Sequence, residues 1–375
     1  MKIATYNVEN LFDRAKAFNE DTERSRRIVE QEAELNALFQ QAVYTPSVKQ
    51  RMLELMETLG ILRSDNGPYV LLRRVRGQLL RRPKSGPVAI VADGRGDWVG
   101  WAELKMAHVN ETAIMNTGRV IRDVDADILA VVEAEHRVAL KQFSDYVLSK
   151  VDGAPYPNVM LIDGNDDRGI DVGLMTKTGF NIGLMRSHIH DLDAAGNPVF
   201  SRDCSEYAVE TPGGEIIWVL PNHFKSKFGG NDAASQRKRK AQAERTAEIY
   251  HRLSGEGHTN VVILGDLNDT PGSAALHPLL SGTDLRDVSA HPAFDTGEFP
   301  GKGTFGLGND SDKIDYLLLS PPLFRRVTAC GIFRKGAWPG SRPKRWSVYP
   351  ELERQLHAAS DHHVLWCEIT PLPML

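Results

Sequence analysis

The sequence predicts a mixed α/β protein built in layers, on three observations. Short β-rich runs recur along the chain, helical patterns lie between some of them, and most of the runs are continuously apolar, as strands buried on both faces are. The runs cover residues 2–6, 128–132, 172–175, 216–220, 261–264, 316–319 and 364–369. Each ends in polar or charged residues.

Taken in order, the first run opens the chain and the second follows only after more than a hundred residues, far more than one crossover needs. An insertion is therefore expected at about 14–110, within a single domain spanning 1–375. Inside it, Val48, Met52, Leu55, Met56 and Leu59 form a helical stripe, and residues 69–75, 88–91 and 98–104 read as strands separated by Gly, Pro and Asp turns. A helix over 111–124 leads back to the core strand at Ile128. After Asn231-Asp232, a capping pair, Ala243, Ala247 and Tyr250 recur at helical spacing until Gly255.

Composition narrows the function classes. With 375 residues and 41% hydrophobic content, the chain can bury roughly three quarters of its unfolded surface without disulfides. Its three cysteines, Cys204, Cys330 and Cys367, are widely separated and lack zinc-site spacing. That pattern fits a reducing cytosol. No signal-like start and no apolar stretch of about 20 residues is found, so a cytoplasmic protein without a membrane span is expected. A net charge of −4 does not describe a protein that coats nucleic acid, so any polyanion site must be local. Two basic stretches stand out, Arg73, Arg74, Arg76, Arg81, Arg82 and Lys84, then Arg237, Lys238, Arg239 and Lys240. Solvated surface is the default reading of either stretch alone.

The chemistry lies at the ends of the apolar runs. Asn7 and Glu9 end the first and Glu133 the second; Asn222-His223 and Asp266-Leu267-Asn268 follow two more; Asp315 opens one, and Asp361-His362 precede the last. Carboxylates gathered at one rim repel one another unless a cation neutralises them. Carboxylate and amide oxygens without thiolate suit a hard ion, Mg²⁺ or Mn²⁺, and such an ion meets phosphate directly. The reaction this points to is in-line hydrolysis of a phosphate ester by an activated water.

The segments Thr5-Tyr6-Asn7-Val8-Glu9-Asn10, Asp127 to Glu133, Asn222-His223-Phe224-Lys225-Ser226, Gly265-Asp266-Leu267-Asn268, Lys313-Ile314-Asp315-Tyr316 and Ser360-Asp361-His362 together resemble the ordered motifs of the endonuclease/exonuclease/phosphatase superfamily. The resemblance implies a four-layered α/β sandwich, two packed mixed β-sheets flanked by helices, with the site at one end of the sheets. It implies Glu133 as principal metal ligand, with Asn7, Glu9 and Asp361 beside the metal. Asp266 would orient or deprotonate the water and Asn268 would hold a phosphate oxygen. His223, and His362 paired with Asp315, would contact the phosphate. Asp171 stands near where relatives orient the first histidine. Asn222, Arg168, Lys225 and Lys227 are candidate substrate contacts, with ordinary surface charge an equally open reading for the three cations. Glu9 departs from the shorter Asp or Asn common in the family.

The expected activity is a metal-dependent phosphodiesterase, most simply a nuclease acting on DNA or RNA. A phosphatase or phosphodiesterase for a small or lipid phosphate ester is the alternative, and a non-catalytic binding protein of the same fold is a second. The sequence points to no particular protein partner.

Overall fold

Each apolar run becomes a strand whose successive side chains enter opposite cores. The structure is a computed structural model and describes residues 1–19, 22–166, 169–226, 233–341 and 344–371. These form two compact units, one made of Asp13–His108 and the other of Met1–Phe12 with the described residues from Val109 onward.

In chain order the strands of the larger unit are β1 (Lys2–Asn7), β2 (Ile128–Ala134), β3 (Asn158–Leu161), β4 (Asp171–Thr176), β5 (Asn181–Arg186), β6 (Glu206–Glu210), β7 (Ile216–His223), β8 (Val261–Asp266), β9 (Arg286–Asp287), β10 (Phe294–Asp295), β11 (Asp315–Leu319), β12 (Val327–Phe333) and β13 (Val364–Ile369). One sheet has the order β10-β12-β13-β1-β2-β4-β3 and the other β5-β6-β7-β8-β11-β9. Both are mixed: β1 runs parallel to β2 and β7 parallel to β8, while β13 and β11 run antiparallel to β1 and β8.

The period of two explains the layers. Ile3, Ala130, Leu174, Val262, Leu264, Leu317 and Cys367 meet between the sheets. Their neighbours Ala4, Leu129, Val131 and Met175 face a second core with Val120, Ile121 and Val124 of helix Glu111–Val124. On the far side, Trp218, Leu220, Ile263 and Leu318 pack on Ala243, Ala247, Tyr250 and Leu253 of helix Ala233–Gly255. Helix, sheet, sheet and helix make the four-layered sandwich, and continuous apolar runs are what strands covered on both faces require. Asn110 caps helix Glu111–Val124 by accepting from Thr112 N, and Asp125 closes it at φ 51°.

The smaller unit has its own core, in which Phe39 meets Trp98 edge-on with ring centroids 4.7 Å apart. Met52, Leu55 and Met56 of helix Pro46–Thr58 are buried in it, and strand Val70–Gly77 pairs with Trp98–Leu104. Helix Thr22–Phe39 was not anticipated, because its charged residues blur the apolar stripe. Strands β3, β5, β6 and β12 were missed as well: β5 is mostly exposed, β3 has only four residues, and Glu206, Thr328 and Gly331 interrupt the apolar pattern of β6 and β12. The expected capping pair Asn231-Asp232 lies outside the described residues. All three cysteines are free and buried. Among the described residues no helix is long and apolar enough to cross a membrane.

Candidate active site

Strand register carries the chemistry to one end of both sheets. Parallel pairing sets Asn7 opposite Val132, one residue before Glu133. In the second sheet His223 lies opposite Asp266, and Asp266 opposite Asp315, so three motif residues stand in a row. Gly265 permits this row: its φ is +128°, and a Cβ there would lie 2.0 Å from Asn222 O.

Glu133 is turned into the site by a bulge. Its neighbours Val132 and Ala134 pair with the consecutive residues Val172 and Asp171, which leaves Glu133 as the extra residue at φ 64°. Glu9 at φ 50° and Asn268 at φ 54° also occupy the left-handed region. Such backbone costs about 1–3 kcal/mol per residue and persists where the surroundings over-determine it.

The side chains converge on Asp266. Asn7 Nδ2 lies 3.3 Å from Asp266 Oδ2 and 3.4 Å from His362 Nε2. Asn7 Oδ1 accepts from Glu9 N at 3.1 Å, so one amide ties the end of β1 to both flanks. His223 Nε2 is 3.6 Å from Glu133 Oε1 and 3.7 Å from Asp266 Oδ2. His362 Nδ1 bonds Asp315 Oδ2 at 2.9 Å, leaving Nε2 3.9 Å from Asp266 Oδ2 and 3.8 Å from Asp361 Oδ1. Asn268 N donates to Asp266 Oδ1 at 2.8 Å and Asn268 Nδ2 to Phe224 O at 3.2 Å.

Crowding shows in the acidities. Burial first, then Asp315 and Glu133, push Asp266 up to about 7, against the pull of His362 and the Asn268 N–H. Asp361 is pushed up to about 8 by burial, Glu9 and Glu133, although its side chain is 44% exposed and so remains reachable. Burial disfavours the His362 imidazolium, yet Asp315, Asp266 and Asp361 outweigh it and hold the ring well above its usual value. Asp266, Asp315 and His362 also present ligand atoms within 4.8 Å of one another, a spacing a metal could use. The 2.9 Å hydrogen bond to Asp315 already occupies Nδ1 of that histidine.

Other expected residues lie elsewhere. Asn222 points to the opposite face of β7, where its Nδ2 donates to Leu220 O at 3.0 Å and its Oδ1 accepts from Thr246 at 3.5 Å. Strand alternation separates it from His223 and away from the carboxylates. Asp171 accepts from Gly164 N at 2.8 Å, and burial together with Asp163 and Asp166 pushes it up to about 7 against the pull of Gly164 N–H and Arg202. The guanidinium of Arg202 reaches His223, with Nη2 3.4 Å from Nε2, while its Nε sits 3.1 Å from Asp166 Oδ2. Lys225 is held through its backbone, by Gln242 Oε1 and Arg239. Arg168 and Lys227 lie outside the described residues.

Sequence reasoning missed Arg202, whose only signal is a charged residue beside buried Val199 and Phe200. It also assigned no role to two hydroxyls. Ser360 Oγ donates to Asn7 O at 2.7 Å and accepts from His362 N at 3.0 Å; Thr304 Oγ1 accepts from Ile314 N and Asp315 N at 3.1 and 2.9 Å. Within the basic run 237–240, Arg239 is fully buried, 3.1 Å from Asp269, so solvated surface does not describe it.

The family model described as Endonuclease/Exonuclease/phosphatase family matches residues 99–329. Among solved structures, a mannosyl-6-phosphatase from Bacteroides thetaiotaomicron is similar at 16% identity, covering 69% of this chain and 90% of that one, with a TM-score of 0.48. The human nocturnin catalytic domain with bound sulfate is 15% identical over 70% of this chain and 88% of its own, TM-score 0.47. A truncated TDP2 from Caenorhabditis elegans is 15% identical over 68% and 89%, TM-score 0.45. No curated protein matches in sequence. The family match covers well over half of the chain, which therefore belongs to the endonuclease/exonuclease/phosphatase family, hydrolases that act on phosphate esters.

Proposed function

We propose that the chain is a divalent-metal-dependent phosphodiesterase acting on nucleic acid. The observation that carries this is the meeting of Glu133, Glu9, Asp361 and Asp266 with two histidines at one end of the sheets, where burial and neighbouring carboxylates raise Asp266 and Asp361.

The donor set fits a hard cation: carboxylates of Glu133, Glu9 and Asp361 and the amide oxygen of Asn7, with no cysteine. Glu133, turned in by its bulge, is the principal holder. Mg²⁺ or Mn²⁺ there would supply charge neutralisation for the phosphate and for the attacking water.

The chain's own groups do the rest. Asp266, with an acidity near neutrality, orients the water and takes its proton as the water oxygen bonds to phosphorus and the ester P–O bond breaks. His362, held by Asp315, and His223, beside Arg202, donate to phosphate oxygens as charge grows. Asn268, anchored on Phe224 O, keeps its amide oxygen and second N–H for orientation.

Nucleic acid is preferred over a small ester because residues 63–105 carry nine Lys and Arg against four Asp and Glu, in a chain whose total charge is −4. A small or lipid phosphate ester is the second reading, supported by that acidic total.

Turnover of plasmid, single strands, RNA and small mono- and diesters with Mg²⁺ and Mn²⁺ tests the reading. Metal-free protein in excess chelator should be inactive, and Glu133→Gln should remove most activity while the melt stays cooperative. Full turnover under chelation would overturn the proposal, and turnover of monoesters alone would transfer it to the second reading.

A further inference from the structure

The smaller unit presents a face for which the catalytic chemistry has no use. Its two-stranded ribbon, Val70–Gly77 with Trp98–Leu104, buries Val70, Trp98 and Ala102 on one side. The other side sets Arg73 directly opposite Trp101, beside Glu103. Glu103 accepts from Arg73 Nε and Nη2 at 2.8 and 3.0 Å. One carboxylate thus holds the Arg73 guanidinium beside the indole, while Trp101 remains 42% exposed. An indole so large and so open leaves an aromatic surface for a planar partner.

The six cations of the basic stretch divide into two kinds. Arg73 is paired, Arg76 donates to Gly96 O, and Arg82 bonds Asp65, Leu62 O and Ile61 O. Arg74, Arg81 and Lys84 are exposed, and among the described residues none of the three has an ion pair. A net +5 over residues 63–105 lies in a protein of net −4. Free cations and an exposed indole within one unit match an extended polyanion with uncovered aromatic faces. A base-paired duplex hides those faces, whereas a single strand exposes them.

We propose that this unit binds single-stranded nucleic acid, with one base stacking on Trp101 and phosphates meeting Arg74, Arg81 and Lys84. The inference rests on nucleic acid being the substrate class, and it adds a site distinct from the phosphoryl-transfer chemistry.

The test uses full-length protein in chelator, which stops turnover, and the fluorescence anisotropy of labelled oligo-dT, oligo-rU, a duplex of equal length and poly-glutamate as acidic competitor. Trp101→Ala should weaken oligo-dT binding by about fivefold to a hundredfold, and Trp101→Phe should restore most of it. Trp101→Ala should leave the salt slope unchanged. Combined Arg74→Ala, Arg81→Ala and Lys84→Ala should flatten that slope by about 2, three phosphate contacts at roughly 0.7 each on a single strand. All variants should hydrolyse a small diester with Mg²⁺ at the wild-type rate, which separates the ribbon from the catalytic reading. Tighter duplex than single-strand binding, displacement by poly-glutamate at equal charge, or indifference to Trp101→Ala would each overturn the ribbon site, and diester turnover would still report on the enzyme.

Discussion

Replacing Asp315 by Asn removes one buried charge and almost no volume. Asp315 Oδ2 is 2.9 Å from His362 Nδ1, which places the carboxylate about 4 Å from the centre of ring charge. At an effective dielectric of about 20 that pair is worth roughly 4 kcal/mol to the imidazolium. Asp266 and Asp361, 3.9 and 3.8 Å from Nε2, retain part of the field, so the loss should fall below the full value. A residual loss of roughly 3–4 kcal/mol corresponds to about 10²–10³ in kcat if the charged ring meets the phosphate. Stability should move little: the Asn oxygen can still accept from Nδ1, and Asp266, which Asp315 pushes up, is relieved of a neighbour. The assay is kcat on a diester at saturating Mg²⁺, alongside a melt and a calorimetric Mg²⁺ titration. A rate within threefold of wild type would remove His362 from the mechanism. A collapse of Mg²⁺ affinity would instead show that Asp266, Asp315 and His362 hold the ion themselves and that the Glu133 assignment is wrong.

Two further changes test the scaffold. Glu206 is fully buried, and although burial raises its carboxyl, hydrogen bonds from His188 (2.5 Å) and Arg252 outweigh this and hold it low. Its stabilisation is therefore present above the unfolded carboxylate value of about 4.3 and is lost as pH falls through the lower folded value. Glu206→Gln should lower Tm at pH 7 by several degrees, from about 2–4 kcal/mol for a broken buried pair whose Arg252 is part-exposed, and should flatten the acid limb of Tm against pH; parallel curves for variant and wild type would refute this. Gly265→Ala forces a Cβ to 2.0 Å from Asn222 O at φ +128°, so β7 and β8 must part beside His223 and Asp266. Both Tm and diester turnover should fall, and a variant with normal melt and rate would show the strand pair to be more compliant than its geometry implies.

Fold and site differed in how far they could be read. Seven apolar runs marked seven core strands, because a strand covered on both faces has no polar positions to disguise it. Strands with an open face, such as β5, and the charged helix Thr22–Phe39 carry weaker periodicity, and the buried strands β6 and β12 are disguised by Glu206, Thr328 and Gly331. The polar residues ending the runs were visible as types, and register does bring Asn7, His223, Asp266, Asp315 and His362 together. Direction was not visible: adjacent residues Asn222 and His223 enter opposite faces, and nothing in the letters says which one faces the carboxylates. Arg202 arrives from a loop, where sequence periodicity has no hold.

Backbone strain is the other hidden variable, and it explains the departure at Glu9. Among the described residues, four of the six non-glycine residues at positive φ are Glu9, Asn10, Glu133 and Asn268, all in or beside the site. At about 1–3 kcal/mol each they form a substantial fraction of a typical folding free energy, so the surrounding layers must hold them there. The left-handed turn at Glu9 folds its backbone N–H onto Asn7 Oδ1 and moves its Cβ off the line of the strand. From such a position a longer side chain can regain reach that a shorter acid would lack. Glu9→Asp should on this argument weaken Mg²⁺ binding with little effect on Tm, because turn and strain are unchanged and only reach is lost. Calorimetry with wild type and Glu9→Asp decides it: equal affinity would mean that Glu9 does not touch the ion and that its effect is confined to the field that raises Asp361.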